Sequence, residues 1–124
     1  MNFYLCKLCG NIADVVSGPA TPMSCCGEVM TLLAANTVEA SQEKHLPHVT
    51  KTDDGIKVQV GSVAHPMEEA HFIDFIVVKT EKGAQRVKLN IGAAPEAEFC
   101  FAAGDGPVEV YEYCNLHGLW KVTV

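Results

Sequence analysis

The sequence predicts an all-β protein: a small cysteine-rich metal domain over residues 1–36, then an antiparallel β-sandwich of immunoglobulin-like type over 37–124. Three observations carry that expectation. Four of the six cysteines fall before residue 27, whereas all five histidines fall after residue 44. From residue 38 onward, short apolar runs alternate with polar residues and are separated by turn signals. The only stretch that reads as a helical turn is Ala40–Lys44, too short to form a helical layer.

The elements follow in order. Residues 1–35 are short apolar runs broken by Gly10, Gly18-Pro19, Pro22 and Gly27. They read as two or three strands, around Phe3–Leu5, Ala13–Val16 and Val29–Leu33, folded about the cysteines. The join at Ala34–Thr37 is short, so the two parts are expected to pack together. Ile56, Val58 and Val60 alternate with Lys57 and Gln59 directly after an Asp53-Asp54-Gly55 turn. His71 to Val78 is a long β-type run, and Glu81-Lys82-Gly83 turns it back into Val87, Leu89 and Ile91. Phe99 and Phe101 alternate with Glu98 and Cys100, and Val108–Tyr113 and Trp120–Val124 complete six or seven strands.

Composition narrows the function. At 124 residues and 48% hydrophobic, the chain can bury a modest core. A segment of about 35 residues cannot support itself without a metal or disulfides. No run of about 18 apolar residues is present, and the start has no basic n-region or apolar h-region, which makes the cytoplasm the default address. Net charge −6 argues against nucleic acid or an anionic membrane as a partner. Six cysteines under reducing conditions point to metal or redox chemistry rather than a disulfide frame.

Cys6-Lys7-Leu8-Cys9 is a C-x-x-C knuckle and Cys25-Cys26 an adjacent pair. Four thiolates so placed can close a tetrahedral sulfur cage on zinc or iron. Gly10 and Gly27 follow the two pairs, where tight turns are needed. Spacing alone favours zinc slightly, although neighbouring ligands should distort the angle at the metal. The stretches Tyr4-Leu5-Cys6-Lys7-Leu8-Cys9-Gly10-Asn11-Ile12 and Cys25-Cys26-Gly27-Glu28 resemble the desulforedoxin-like domain of the desulfoferrodoxin family. The resemblance implies iron, held much as rubredoxin holds it.

Cys100 and Cys114 remain. Cys114-Asn115-Leu116-His117-Gly118 sets a thiol and an imidazole three residues apart between two strands, a spacing that lets both reach one metal. His65-Pro66-Met67, His71 and His45 offer further ligands. Taken singly, each has an ordinary explanation as a turn or core residue. Together, Glu43-Lys44-His45-x-Pro47, Gly61-Ser62-Val63-Ala64-His65-Pro66-Met67-Glu68-Glu69-x-His71 and Tyr113-Cys114-Asn115-Leu116-His117-Gly118 are similar to the superoxide reductase motifs of the same family. The resemblance covers essentially the whole chain. It implies a ferrous iron with His45, His65, His71 and His117 in a plane, Cys114 axial and the opposite position open. His48 has no counterpart in the motif and reads as an exposed loop residue. Cys100 reads as a structural thiol. Phe75 stands where the family often has Trp.

What the resemblance implies is reduction of superoxide to hydrogen peroxide. Neutral imidazoles and one thiolate suit ferrous iron, and the thiolate donates electron density. Lys44 is implied to attract the anion and order the water that supplies protons. Glu43 is implied to close on the ferric iron after turnover. Because the protein is acidic, a local positive funnel is required, with Lys44 and Lys51 flanking the site in sequence. The family also implies rubredoxin as electron donor and a homodimer. Three other readings compete: an iron protein that only relays electrons, a superoxide dismutase, and a zinc-stabilised binding module.

Overall fold

The computed structural model describes residues 1–124, which divide into two compact units, Met1–Ala34 and Ala35–Val124. The first unit holds β1 (Phe3–Leu5), β2 (Ile12–Asp14), β3 (Ser24–Cys25), β4 (Glu28–Val29) and β5 (Thr31–Leu32). β1 lies between β2 and β5 in an antiparallel sheet, and β3 and β4 form a separate hairpin. Its small core consists of Tyr4, Cys6 and Met30, flanked by Ala13, Val15, Met23 and Cys25. The Tyr4 hydroxyl is satisfied by the Ala20 carbonyl at 2.6 Å. The run expected at Val29–Leu33 is divided between two partners. Glu28 and Val29 pair with β3, while Thr31 and Leu32 pair with β1. Met30 is the pivot, buried while its N–H bonds the Met23 carbonyl at 2.8 Å.

The second unit opens with one helical turn, α1 (Gln42–His45), two residues later than Ala40–Lys44. Seven strands follow: β6 (Pro47–Lys51), β7 (Gly55–Val60), β8 (Ile73–Thr80), β9 (Ala84–Lys88), β10 (Glu96–Cys100), β11 (Pro107–Cys114) and β12 (Gly118–Thr123). They make a three-stranded sheet in the order β10-β7-β6 and a four-stranded sheet in the order β12-β11-β8-β9, with every pairing antiparallel. Alternation decides what each strand buries. Ile56, Val58 and Val60 point inward from β7, and Ile76 and Val78 from β8, into one core with Phe99, Val110 and Cys114.

β6 carries His48, which sits in an edge strand rather than the expected loop and is exposed as expected. Pro47 begins that strand, the position where a sheet edge tolerates proline. Cys100 ends β10 and is exposed, so it does not contribute to the core. The inward face of β11 also holds Glu112, fully buried with neither carboxylate oxygen hydrogen-bonded. Burial pushes its pKa well above the usual carboxylate range, which keeps it a neutral acid.

Candidate metal centres

The four cysteines of the first unit converge because two turns aim them together. In the Cys6–Cys9 knuckle, the Gly10 N–H bonds the Cys6 carbonyl at 2.8 Å and the Cys6 N–H bonds the Asn11 carbonyl at 2.9 Å. In the β3–β4 hairpin, Cys25 pairs with Glu28 across a two-residue loop of Cys26 (φ 53°) and Gly27 (φ 78°). Two consecutive positive φ angles are the hairpin geometry that matches strand twist, and Gly27 takes the second without steric cost. This is how two adjacent cysteines can face one point.

The sulfur–sulfur separations are 3.6 Å for Cys9–Cys25 and 3.9 Å for Cys25–Cys26. A tetrahedron with metal–sulfur bonds of about 2.3 Å has edges of about 3.8 Å. The spacing therefore fits four thiolates around one ion and is far too long for a disulfide, whose S–S bond is about 2.05 Å. The thiols differ in how readily they reach that state. Backbone N–H groups, Cys9's above all, draw Cys6 down to about 7. Cys26 is pushed up to about 12, first by Cys9 and then by Cys25 and Cys6. Four such neighbours cannot all ionise unless a cation neutralises them.

In the second unit His45, His65, His71, His117 and Cys114 present one donor atom each, all within 4.8 Å of one another. Ring-centroid distances run 4.8 Å for His45–His65, 4.4 Å for His65–His71, 5.1 Å for His71–His117 and 4.8 Å for His117–His45. The His45–His71 distance is 6.5 Å, so these two lie across a diagonal and the imidazoles form a closed ring of four. The Cys114 sulfur lies 3.5 Å from His65 Nε2 and 3.8 Å from His117 Nδ1. His117 Nδ1 and His45 Nε2 are 3.1 Å apart. Metal–nitrogen bonds of about 2.0–2.1 Å at right angles would place neighbouring donors about 3 Å apart.

The fold sets each donor in turn. His45 ends α1, and its Nδ1 meets the Ser41 carbonyl at 2.7 Å, leaving Nε2 to face the ring. His65 is fixed in the same way by the Pro66 carbonyl at 2.7 Å. These carbonyl partners choose the tautomer, as the outer shell of a metal site does. Cys114 closes β11 with no solvent exposure, and His117 sits in the turn before β12. Trp120 stacks on His45 at 4.9 Å while its Nε1–H donates to the His117 carbonyl at 3.1 Å. Neither Ser41 nor Trp120 was marked by the sequence, since nothing local distinguishes them.

Electrostatics fit a cation here. Burial lowers His45 and His71 and takes His65 down to about 4, which favours the neutral imidazole that can bind a metal. Burial raises the Cys114 thiol, against the pull of the His117 and Leu116 N–H groups. His71 Nε2 is buried without any hydrogen-bond partner. Such atoms are rare in native proteins, and a cation within the ring is the group that satisfies this one. Four nitrogens and one sulfur suit ferrous iron.

Glu43 and Lys44 lie exposed on α1, immediately before His45. Their turn is tied to the loop before His65, where the Glu43 carbonyl accepts from Val63 N–H at 3.1 Å and from Ser62 Oγ at 3.3 Å. A Cβ at Gly61 would overlap that same carbonyl, so glycine allows the two segments to meet. After burial and the neighbouring imidazoles, the Lys44 charge is a further cause lowering His45 and His71, which places it within electrostatic reach of the ring. Lys51 instead ends β6, about 13 Å along the strand from Pro47.

Comparison with known proteins agrees with both centres. The Desulfoferrodoxin family model matches residues 37–123, and the model of the desulfoferrodoxin N-terminal domain matches residues 1–33. The desulfoferrodoxin of Syntrophotalea carbinolica is 54% identical over 98% of this chain and 94% of its own. That of Nitratidesulfovibrio vulgaris is 48% identical over 95% and 92%. Among solved structures, the superoxide reductase of Treponema pallidum superposes with a TM-score of 0.84 at 38% identity, covering 98% of each chain. The one-iron superoxide reductase of Giardia intestinalis gives 0.54 at 27% identity, over 66% of this chain and 97% of that one. The chain belongs to the desulfoferrodoxin family.

Proposed function

We propose that this protein is a superoxide reductase, which adds one electron and two protons to superoxide and yields hydrogen peroxide without releasing dioxygen. The observation that carries the reading is the closed ring of four imidazoles with the buried Cys114 thiol against it. The same reaction is named for the Treponema pallidum protein, which aligns over nearly the full chain. We assign His45, His65, His71, His117 and Cys114 as ligands of the catalytic iron, and Cys6, Cys9, Cys25 and Cys26 as ligands of a second iron. We place the domain division at 36/37, between these two ligand sets and two residues beyond the Ala34/Ala35 division of the compact units.

Iron held by His45, His65, His71, His117 and Cys114 would supply the single electron and a Lewis-acidic site for the oxygen anion. The protein's own groups do the rest. His45 and His65 are held neutral and correctly turned by the Ser41 and Pro66 carbonyls. Burial among apolar side chains raises the Cys114 thiol, so a cation in the ring would favour its thiolate, which would donate electron density to that cation. Lys44 provides positive charge beside His45 for an anionic substrate, and its ammonium orders the water that delivers protons. Glu43, on the same turn, is assigned the carboxylate that closes on the site after the product has left. A rubredoxin-class electron donor, a homodimer and a cytoplasmic setting complete the proposal. They rest on family resemblance and, for the setting, on six cysteines that suit metal or redox chemistry under reducing conditions.

Cys114→Ser tests the assignment. The sandwich should stay folded by circular dichroism, since the side chain is nearly isosteric and the imidazoles still hold a divalent ion. Reduction of superoxide by the iron-reconstituted variant should be lost. Full activity in that variant would refute Cys114 as a ligand.

A further inference from the structure

Two of the four imidazoles have their second nitrogen anchored on a backbone carbonyl, but His71 has no such anchor, and its Nε2 is buried without a hydrogen-bond partner. His71 also stands in the segment between β7 and β8, just ahead of the strand, where an isolated bridge joins it to Glu68. Some other feature must fix the position of this ligand.

Asn115 supplies it. Its Oδ1 accepts from the Phe72 N–H at 2.9 Å, its Nδ2 donates to the Ala70 carbonyl at 3.0 Å, and its own N–H donates to the Phe72 carbonyl at 3.2 Å. One residue therefore grips the backbone on both sides of His71. It does so where the β8–β11 ladder loses register, between the Tyr113–Phe75 and Cys114–Ile73 pairs. Asn115 follows Cys114 directly and precedes His117 by two residues. The grip therefore links the segment carrying Cys114 and His117 to the one carrying His71.

We propose that Asn115 is a positioning residue of the histidine site, setting where His71 stands relative to Cys114 and His117 through the backbone rather than through its ring. The proposal rests on the assignment of His71 as a metal ligand. Outer-shell partners of metal ligands are worth about 10–100-fold in metal affinity, and a side chain that fixes a ligand's backbone from both sides belongs in that range.

The experiment compares full-length wild type, Asn115→Ala, Asn115→Asp and His71→Ala, each titrated with cobalt(II) against a competing chelator. The visible spectrum distinguishes the five-donor site from the four-sulfur site. Asn115→Ala should weaken cobalt binding at the histidine site about 10–100-fold and shift its ligand-field bands. The four-sulfur bands should not move. Asn115→Asp is nearly isosteric and keeps both bonds to Phe72 while losing the one to Ala70, so it should fall between wild type and alanine, which keeps only the backbone bond. It also serves as the readable variant should Asn115→Ala not fold. A purely structural role for Asn115 would lower the melting temperature of the metal-free protein while leaving cobalt affinity and spectrum at wild-type values, and that result overturns the proposal. If His71→Ala also binds cobalt with wild-type affinity and spectrum, the ligand assignment itself has failed. If His71→Ala is impaired and Asn115→Ala is not, only the positioning inference has failed.

Discussion

Replacing Lys44 with alanine removes one positive charge from beside the imidazole ring and takes the net charge from −6 to −7. The size of the effect depends on the medium between that charge and an incoming anion. Opposite unit charges about 4 Å apart attract by about 1 kcal/mol in water and about 4 kcal/mol at an effective dielectric of 20. Lys44 is exposed on α1, which puts it near the aqueous end of that span. About 1 kcal/mol corresponds to roughly fivefold in rate, so Lys44→Ala should slow the second-order reaction with superoxide about five- to tenfold at low salt. Raising ionic strength from 0.01 M to 0.1 M shortens the screening length from about 30 Å to about 10 Å. The wild-type rate should therefore fall with salt more steeply than the variant's. Glu43→Ala changes charge in the opposite sense, so its encounter rate should hold or rise slightly while the ferric spectrum shifts. Pulse radiolysis or stopped-flow absorbance measures all three. A Lys44→Ala protein as fast as wild type at low salt, with the same salt dependence, would refute the electrostatic argument.

Cys6→Ser should strip or perturb the four-cysteine site and loosen residues 1–34, whose small core includes Cys6 itself. The single-turnover reaction of the histidine-ligated iron should survive nearly intact, and a large fall in that rate would make the N-terminal iron part of the chemistry. Glu109 sits between Lys121 at 2.8 Å and Lys79 at 3.5 Å, and Lys121 first, then Lys79, holds its carboxyl below the usual range. A depressed folded-state pKa stabilises above the unfolded value and is lost as pH falls through the folded one. Glu109→Gln should therefore cost about 1 kcal/mol or less near pH 7. The difference should vanish in thermal melts run below the carboxylate range.

Spacing marks two donor pairs, while the full ligand sets are what the family resemblance implies. Cys6-x-x-Cys9 and Cys114-x-x-His117 each place two donors within one turn, and this is a local property. The alternation of Ile56, Val58 and Val60 likewise revealed β7, because that strand buries a single face. β6 is not legible because Pro47-His48-Val49-Thr50-Lys51 is an edge strand that buries Pro47 and part of Val49 but leaves Lys51 exposed, so its alternation stops after two positions. Val29–Leu33 read as one strand because its division depends on which partner each half finds. Ser41, Trp120 and Asn115 were invisible for a related reason. Their contacts with the ligands or ligand-bearing segments are made only in the folded chain, and no spacing rule encodes a carbonyl that selects a tautomer. Glu112 alternates with Val110 and Cys114 along β11, so the pattern that revealed the strand also carried a buried acid that composition alone does not flag.

One-way reduction at the five-donor site is decided by product stoichiometry. Fully reduced protein holding two irons per chain is mixed anaerobically with a known dose of superoxide, and peroxide, dioxygen and iron oxidation are counted together. One hydrogen peroxide and one oxidised iron are expected for each superoxide consumed, with no dioxygen. One dioxygen for every two superoxides, with the iron returned to its starting state, would identify a dismutase and contradict the account.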